Sequence, residues 1–329
     1  MKPACPLVRL VVMATRARWL LLVAAGCGSA AGAPAAPADA TASCVDDGKP
    51  YDRAAMRDRI ALLASRELDG RAPGSAGSRA AHAFVIDRFR CLGLVPGGDA
   101  GGFTQAFAID GTPAANVIGY VAGSEPGDIV VVGAHLDHLG GGKLGANDNA
   151  SGVAGVLAIA QAVRQHGQPR RTIAFVLFDG EEGGLLGSSY LVEHPPAALP
   201  IDHVVEMVNL DMIGSYDARR AVYAFGASGK LPARTMLARL ARDHRTLNVG
   251  IGGHSERGDQ YDFCEHGIPY VFFWTPDPRC YHEACDTASR IDLPHAAEIA
   301  QLAGDLVLAL ADSSEDLAAS RRRLGCDAR

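Results

Sequence analysis

Five short patches of the chain carry side chains that could together hold a pair of metal ions. They are His135-Leu136-Asp137, Asn147-Asp148-Asn149, Asp179-Gly180-Glu181-Glu182, Asn209-Leu210-Asp211 and Tyr281-His282. Zinc at a two-metal hydrolytic site takes imidazole nitrogens and carboxylate oxygens, with one carboxylate shared by both ions and another free to accept a proton from water. The patches contain two imidazoles, the ligand carboxylates and one further carboxylate. This inventory predicts a two-metal hydrolytic site.

Apolar runs of strand length stop just before three of these patches. The runs cover residues 128–134, 172–178 and 203–210, and they lead into His135, Asp179 and Asp211 respectively. In open α/β sheets, ligands bind in the crevice outside the carboxyl ends of the strands. Side chains that are distant along the chain can therefore meet at one edge of a sheet.

Helical and strand-like patterns alternate along most of the chain, which predicts one sheet covered on both faces. Helical patterns occupy about 51–65, 78–91, 151–165, 185–193, 232–243 and 294–311. Strand-like runs occupy about 116–121, 129–134, 172–178, 203–210, 221–225 and 270–274.

Each patch also has an ordinary structural explanation. A lone histidine such as His135 is more often a core or surface residue than a ligand, and tandem acids such as Glu181 and Glu182 usually mark a solvated face. Asp148 lies in a segment rich in Asn, Ser and Gly, where it could serve in a turn or as a helix N-cap. The occurrence of all five patches in one chain favours the metal site over these separate explanations.

The N-terminal 27 residues have the pattern of an export signal. Arg16 and Arg18 precede the apolar run 19–26, which is too short to span a bilayer permanently and is followed by Cys27. The segment ending at Cys27 is similar to a bacterial lipobox, so a lipid anchor at this cysteine and simple cleavage with secretion both remain open. Met13 is an alternative start. The protein is expected to be exported as a periplasmic or cell-surface lipoprotein, or to be secreted.

The remaining chain divides into three segments. Residues 28–44 are rich in Ala, Gly, Pro and Ser and predict a flexible linker, residues 45–313 form the expected catalytic domain, and residues 314–329 are expected to be a solvated polar tail. The net charge of −6 and the lack of a basic patch give no reason to expect a nucleic-acid partner. The sequence carries no signal for the oligomeric state.

Six cysteines follow Cys27, namely Cys44, Cys91, Cys264, Cys280, Cys285 and Cys326. In an oxidising compartment they allow up to three disulfides in fifteen pairings, which the sequence does not distinguish. Cys280 and Cys285 flank His282 closely, so a small bridged loop that presents this histidine is the favoured pairing. Separate thiols or other pairings remain open.

Taken together, the patches resemble metallopeptidase family 28, the secreted bacterial aminopeptidases that use a co-catalytic pair of zinc ions. The resemblance extends over about residues 52–312 and implies a three-layer α/β/α fold with a mixed, mostly parallel central sheet, of the zinc aminopeptidase and phosphorylase/hydrolase-like type. The matching segments are 63–74, 133–138, 145–152, 180–188, 209–214, and Tyr281-His282 with Asp286-Thr287.

The resemblance also implies how the residues divide between two Zn²⁺ ions per chain. Asp148 would bridge the ions, His135 and Asp211 would complete one ion, and Glu182 and His282 would complete the other. It further implies a cis peptide bond after the bridging aspartate.

Other residues are expected near the ions. Glu181 would be the general base. Asp137 would orient the ring of His135, as carboxylates commonly do for ligand imidazoles. Tyr281 would hydrogen-bond the tetrahedral intermediate, or would simply anchor its loop. His138, like Asn147, is taken as a supporting loop residue.

The expected activity is that of an extracytoplasmic zinc aminopeptidase acting on peptides with a free N-terminus. A carboxypeptidase or dipeptidase is an alternative that would need a positioned cation, for which Arg257 and Arg279 are the nearest in sequence. A second alternative is a glutaminyl cyclase, which works with a single zinc. A binding module that has lost its ligands is the alternative outside enzymes, and every ligand position here is filled.

Overall fold

The computed structural model describes residues 48–125 and 127–326. The expected export signal, Cys27 and the expected linker lie outside these residues. Within them, eight α-helices form: α1 (Arg53–Leu63), α2 (Ala76–Cys91), α3 (Gly152–His166), α4 (Leu186–Glu193), α5 (Pro232–Leu240), α6 (Gln260–Glu265), α7 (Leu293–Asp312) and α8 (Leu317–Leu324).

Local sequence signals begin and end several of these helices. The Asp52 carboxylate accepts the N–H groups of Ala54 and Ala55 at the start of α1, and the Ser75 hydroxyl accepts an N–H in the first turn of α2. Gly167, with a φ of 107°, ends α3. The Asp52 and Ser75 side chains thus satisfy N–H groups that have no partner inside the helix.

The described residues contain nine strands in one mixed sheet. They are β1 (Val95–Pro96), β2 (Thr104–Ile109), β3 (Thr112–Val121), β4 (Ile129–His135), β5 (Thr172–Phe178), β6 (Val204–Leu210), β7 (Val222–Phe225), β8 (Val249–Ile251) and β9 (Tyr270–Trp274). Their spatial order is β1-β3-β5-β4-β6-β9-β7-β8, with β2 paired to β3. The four central strands β5, β4, β6 and β9 are parallel, so their carboxyl ends lie along one edge of the sheet.

Antiparallel pairs flank this parallel centre. β3 pairs antiparallel with β1, β2 and β5, and β7 pairs antiparallel with β9 and parallel with β8. The sheet is therefore mixed, as expected, with its parallel pairing concentrated at the centre.

Helices cover both faces of the sheet. Successive residues of β4 face opposite layers, with Val130 and Val132 in one core and Ile129 and Val131 in the other. The first core includes residues of α1, α2, α3, α5 and α7, whereas the second includes residues of α4 and α6. This arrangement confirms the expected three-layer α/β/α architecture.

All six predicted helices and all six predicted strands overlap observed elements. The sequence analysis missed the short elements β1, β2, β8, α6 and α8. Strand β2 carried a signal that could have revealed it, because Asp110-Gly111 joins it to β3 with positive φ at both residues, 49° and 81°. An Asp-Gly pair between two strand-like runs is typical of a tight hairpin.

The C-terminal segment corrects the expectation of a solvated tail over residues 314–329. Asp316 caps α8, and the Arg321 guanidinium donates to the carbonyl oxygen of Val204 at 2.6 Å. Cys326 forms a disulfide with Cys264. The run of three arginines suggested full solvation, but one of them is bonded to the backbone of the sheet layer.

The favoured disulfide of the sequence analysis is confirmed. Cys280 and Cys285 are bonded and enclose the loop that carries His282. Cys91 is also disulfide-bonded. Among the residues that the structure describes, no helix combines the length and the apolar character needed to cross a bilayer.

Candidate metal centre

The carboxyl ends of the central strands bring the sequence-predicted residues together. His135 is the last residue of β4, Asp211 directly follows β6, and Glu181 and Glu182 lie just beyond β5. Asp148 lies on the loop before α3, and His282 lies on the bridged loop that follows β9. The parallel arrangement of the strands is what places these distant segments at one site.

The first group of possible ligands consists of His135, Asp148 and Asp211. Nε2 of His135 lies 3.1 Å from Oδ1 of Asp148 and 3.3 Å from Oδ1 of Asp211. All three residues are buried. One nitrogen and two carboxylate oxygens thus converge at spacings that a single divalent cation can occupy.

A second group forms on the other oxygen of Asp148. Nε2 of His282 lies 3.2 Å from Oδ2 of Asp148 and 2.9 Å from Oε2 of Glu182. The two oxygens of Asp148 therefore face two different imidazoles, each accompanied by a second carboxylate. This is the geometry required of a carboxylate that bridges two ions.

His138 also lies in this second group, although the sequence analysis took it only as a supporting residue. Its Nδ1 is 2.5 Å from Oε1 of Glu182 and 4.0 Å from Oδ2 of Asp148. The closeness of His138 to His135 in the sequence was the signal that could have indicated a place for it in the site.

Several buried polar atoms of the second group have no hydrogen-bond partner within the described residues. They are Oδ2 of Asp148, Oε1 of Glu182 and both ring nitrogens of His138. Buried polar atoms in folded proteins nearly always have partners, and each unsatisfied one costs stability. Since these atoms converge and are of the types that zinc prefers, the residues present fit bound divalent cations.

Asp137 ties the loop after β4 to the loop after β5. Its carboxylate accepts the backbone N–H of Glu181 at 3.1 Å and that of Glu182 at 3.3 Å. Nδ1 of His135 lies 3.2 Å from the carbonyl oxygen of Asp137 and 3.7 Å from its Oδ1. The nearer acceptor for the imidazole is thus the backbone of Asp137.

Asp286 holds the loop that carries Asp148. Its carboxylate accepts the N–H groups of Asn147 at 2.8 Å and of Asp148 at 3.0 Å. The Asp148-Asn149 peptide bond is cis, as the resemblance implied. Asp286 belongs to one of the segments that carry the family resemblance, but no role was predicted for it from the sequence.

A buried arginine beneath the site was also missed. The guanidinium of Arg71 is fully buried and donates to four carbonyl oxygens at 2.6–3.0 Å, those of Leu63, Leu136, Leu144 and Gly145. Burial lowers the pKa of Arg71 to about 10, against the opposing influence of nearby carboxylates. Because Leu136 and Gly145 belong to the segments that carry His135 and Asp148, Arg71 fixes both segments at once.

The carboxylates of the site differ in their affinity for protons. Burial raises the pKa of Glu181 to about 9 and also raises the pKa of Asp211 above its usual range. Burial would raise the pKa of Asp148 too, but the imidazoles of His135 and His282 beside its two oxygens hold it below its usual range. Burial therefore makes Glu181 able to hold a proton near neutral pH.

A cavity of about 460 Å³ opens onto the two groups. Asp148, Glu181, Asp211 and His282 are among the residues that line it. Its remaining lining includes the aromatic side chains of Phe225, Phe272, Trp274 and Tyr281 and two arginines, Arg219 and Arg257. Arg279 lines a neighbouring cavity instead.

Tyr281 combines exposure with an aromatic contact. Its side chain lines the cavity and is 47% exposed, and its ring stacks on that of His282 with centroids 3.8 Å apart. Burial and the nearby carboxylates raise the pKa of its hydroxyl to about 12. The hydroxyl therefore remains a hydrogen-bond donor at neutral pH.

Comparison with protein families gives one match over more than half of the chain. The model described as Peptidase family M28 matches residues 116–307. The match includes all eight residues singled out for the site in the sequence analysis, from His135 to His282.

Curated relatives are similar over parts of their length. Leupeptin-inactivating enzyme 1 of Streptomyces exfoliatus is 30% identical over 71% of this chain and 56% of that protein. Aminopeptidase YwaD of Bacillus subtilis is 33% identical over 55% of this chain and 40% of that protein. The probable lipoprotein aminopeptidase LpqL of Mycobacterium tuberculosis is 31% identical over 56% of this chain and 37% of that protein. The chain thus spans about half or less of the length of these relatives.

Solved structures share the fold at low sequence identity. BSAP, a zinc aminopeptidase from Bacillus subtilis, aligns with a TM-score of 0.67 at 18% identity, covering 81% of this chain and 97% of that one. A Bacteroides thetaiotaomicron glutaminyl cyclase aligns with a TM-score of 0.63 at 20% identity, covering 78% of this chain and 98% of that one. At these identities the likeness extends to the fold alone.

Proposed function

Because the chain belongs to peptidase family M28, we propose that it is an extracytoplasmic metallo-aminopeptidase, which removes the N-terminal residue from peptides. The observation that carries this proposal is the placement of Asp148 between two imidazole–carboxylate groups. Relatives named aminopeptidases support the same activity.

The proposed ligands follow the two groups. Asp148 would be shared by two ions of the zinc class, of which His135 and Asp211 would hold one and Glu182 and His282 the other. When bound, the ions lower the pKa of a water and polarise the scissile carbonyl. Asp137 and Asp286 act indirectly, because they fix the backbone of the residues that carry these ligands.

Glu181 is the proposed general base. It lines the cavity, and its carboxylate belongs to neither close ligand group. It takes a proton from the attacking water and delivers it to the leaving amine, and burial raises its affinity for that proton during the transfer. The Tyr281 hydroxyl, exposed at the same cavity, donates a hydrogen bond to the oxygen that becomes negatively charged.

The charge around the cavity favours a substrate with a free amine. Three acidic side chains of the site line the cavity, namely Asp148, Glu181 and Asp211. The carboxylates that serve as metal ligands are offset by the charge of the ions, so a free amine would be held by an ion or by the Glu181 carboxylate, whereas a substrate carboxylate would need a positioned cation. The aromatic side chains that line the cavity would accommodate an apolar side chain of the substrate's N-terminal residue.

One observation favours a second candidate, a carboxypeptidase or dipeptidase. Arg257 and Arg219 line the same cavity as the acidic groups, and a guanidinium can hold a substrate carboxylate bidentately. Arg279, the other arginine considered from sequence, does not line this cavity. Arg257 is therefore the first residue to substitute if the enzyme requires a free C-terminus.

Export completes the proposal. Residues 1–27 act as the signal, residues 28–44 as a linker, and the catalytic domain extends from residue 45 to include α8 and its disulfide. The relative named as a probable lipoprotein supports an anchor at Cys27. Peptides with free N-termini are the proposed partners, with membrane attachment only through that anchor.

Matched peptides that differ only at their ends test which end is cut. Acetylating the N-terminus of a good substrate is expected to abolish cleavage, whereas amidating its C-terminus is expected to change the rate little. The Arg257→Ala variant serves as the comparison, and it should retain cleavage of the C-terminally amidated peptide. The opposite dependence on the two ends would replace the aminopeptidase with a carboxypeptidase.

A further inference from the structure

His138 is a buried histidine that none of the proposed roles above uses. Its side chain is fully buried, and neither ring nitrogen has a hydrogen-bond partner within the described residues. The ring fills space that Gly145 leaves open, because a Cβ at Gly145 would lie 2.5 Å from its Cγ. Gly145 also has a φ of 64°, which favours glycine. The chain thus makes room for an imidazole at this position.

The ring is directed at the second ligand group. Nδ1 lies 2.5 Å from Oε1 of Glu182 and 4.0 Å from Oδ2 of Asp148, and the ring meets that of His282 edge-on at 5.8 Å between centroids. Donor atoms bound to one zinc ion at 2.0–2.2 Å lie no more than about 4.4 Å apart. Both distances satisfy this limit.

The contact between His138 and Glu182 does not have the alignment of a hydrogen bond. Nδ1 of His138 and Oε1 of Glu182 approach closely, yet both count among the buried atoms that have no hydrogen-bond partner in the described chain. Atoms of the types that zinc binds, when they converge without the alignment of a hydrogen bond, are expected where both are directed at the same cation.

We propose that His138 is a second imidazole ligand of the ion held by Glu182 and His282. The two ions then have unequal surroundings: His135, Asp148 and Asp211 supply one nitrogen and two carboxylates, whereas the Glu182 ion has two imidazoles and two carboxylates. The Glu182 site therefore binds its ion more tightly, and it fills first and empties last. This inference rests on the two-metal function proposed above.

The test uses metal binding rather than activity. The full-length protein is stripped with a chelator and titrated with Co²⁺, whose visible spectrum reports its ligands, and with Zn²⁺ in competition with a chromogenic chelator. His138→Phe keeps a ring but removes both nitrogens, and His138→Ala serves if the larger ring does not fit. His244→Phe is the matched control, because His244 is a buried histidine that pairs with Asp305 away from the site.

The wild type and His244→Phe are expected to bind two ions, one more tightly than the other. His138→Phe is expected to lose more than 100-fold in affinity at the tighter site and to alter the Co²⁺ spectrum of that site, while the other site keeps its affinity. This loss of affinity is larger than the roughly 10- to 100-fold effect expected when the residue removed only supports a ligand. An unchanged spectrum, with or without a small loss of affinity, would overturn the ligand role. A wild type that binds no ion would overturn the two-metal function as well.

Discussion

The Asp137 carboxylate accepts the backbone N–H of Glu181 at 3.1 Å. This hydrogen bond joins the loop after the proposed ligand His135 to the proposed base. The same carboxylate accepts the N–H of Glu182 at 3.3 Å. Although the two glutamates share this anchor, their side chains diverge: Glu182 contacts His282 and His138, whereas Glu181 lines the cavity. Adjacent residues of the same type are therefore placed for different tasks.

Substituting each glutamate by glutamine separates those tasks. Glu181→Gln keeps the shape of the side chain but removes the proton acceptor, so turnover is expected to fall by roughly 10² to 10⁴ while metal remains bound. Glu182→Gln is expected to weaken metal binding, because an amide is a poorer ligand than a carboxylate. Metal content and kcat measured on both variants check the assignment, and exchanged phenotypes would show that the roles are reversed.

The disulfides Cys280–Cys285 and Cys264–Cys326 offer a second matched comparison. Removing Cys280–Cys285 by serine substitution is expected to cost about 2 kcal/mol of stability, because the closed loop is short, and to weaken metal binding, because His282 lies in that loop. Removing Cys264–Cys326, with a separation of 62 residues, is expected to cost about 4 kcal/mol and to leave the metal affinity of the folded protein unchanged. Denaturation and metal titration are the measurements. Equal effects on metal binding would contradict a specific role for the smaller loop.

Glu206 provides a prediction on pH dependence away from the metal site. It lies fully buried in β6, and burial raises the pKa of its carboxyl from 4.5 to about 8. Between these values the folded state holds a proton that the unfolded state releases, so stability falls as the pH rises from about 4.5 to 8. The fall is complete above pH 8, where both states are ionised.

Glu206→Gln is expected to remove this part of the pH dependence. Urea denaturation of chelated protein at pH 5, 6, 7 and 8 should show a smaller loss of stability in the variant, with a difference on the order of a few kcal/mol across the range. The chelator removes metal binding from the comparison, and the other buried carboxyls contribute equally to both proteins. Parallel pH profiles for the two proteins would mean that Glu206 ionises normally.

The proposed ligands could be found from sequence because strand ends place them. His135, Asp211 and the pair of glutamates each follow an apolar run, and such runs are strong indicators of buried parallel strands. The disulfide around His282 was predictable for a similar reason, since five residues of separation restrict the geometry of the pair.

The missed features depend on contacts between segments that are distant in sequence. Arg71 bonds carbonyl groups up to 74 residues away, and Asp286 bonds backbone groups 138 and 139 residues away. No periodicity in either segment encodes these partners. α8 was missed because its arginines suggest solvent, whereas its attachment relies on Cys264 and on backbone carbonyls of another segment. The role of His138 likewise depends on where Glu182 lies.

The number of zinc-class ions bound per chain tests the central claim most directly. Purified protein, stripped and then reloaded with excess zinc, should hold close to two ions per chain by elemental analysis. Peptide hydrolysis should disappear on chelation and return with zinc. Saturation at a single ion, or full activity in the stripped protein, would contradict a two-metal site bridged by Asp148.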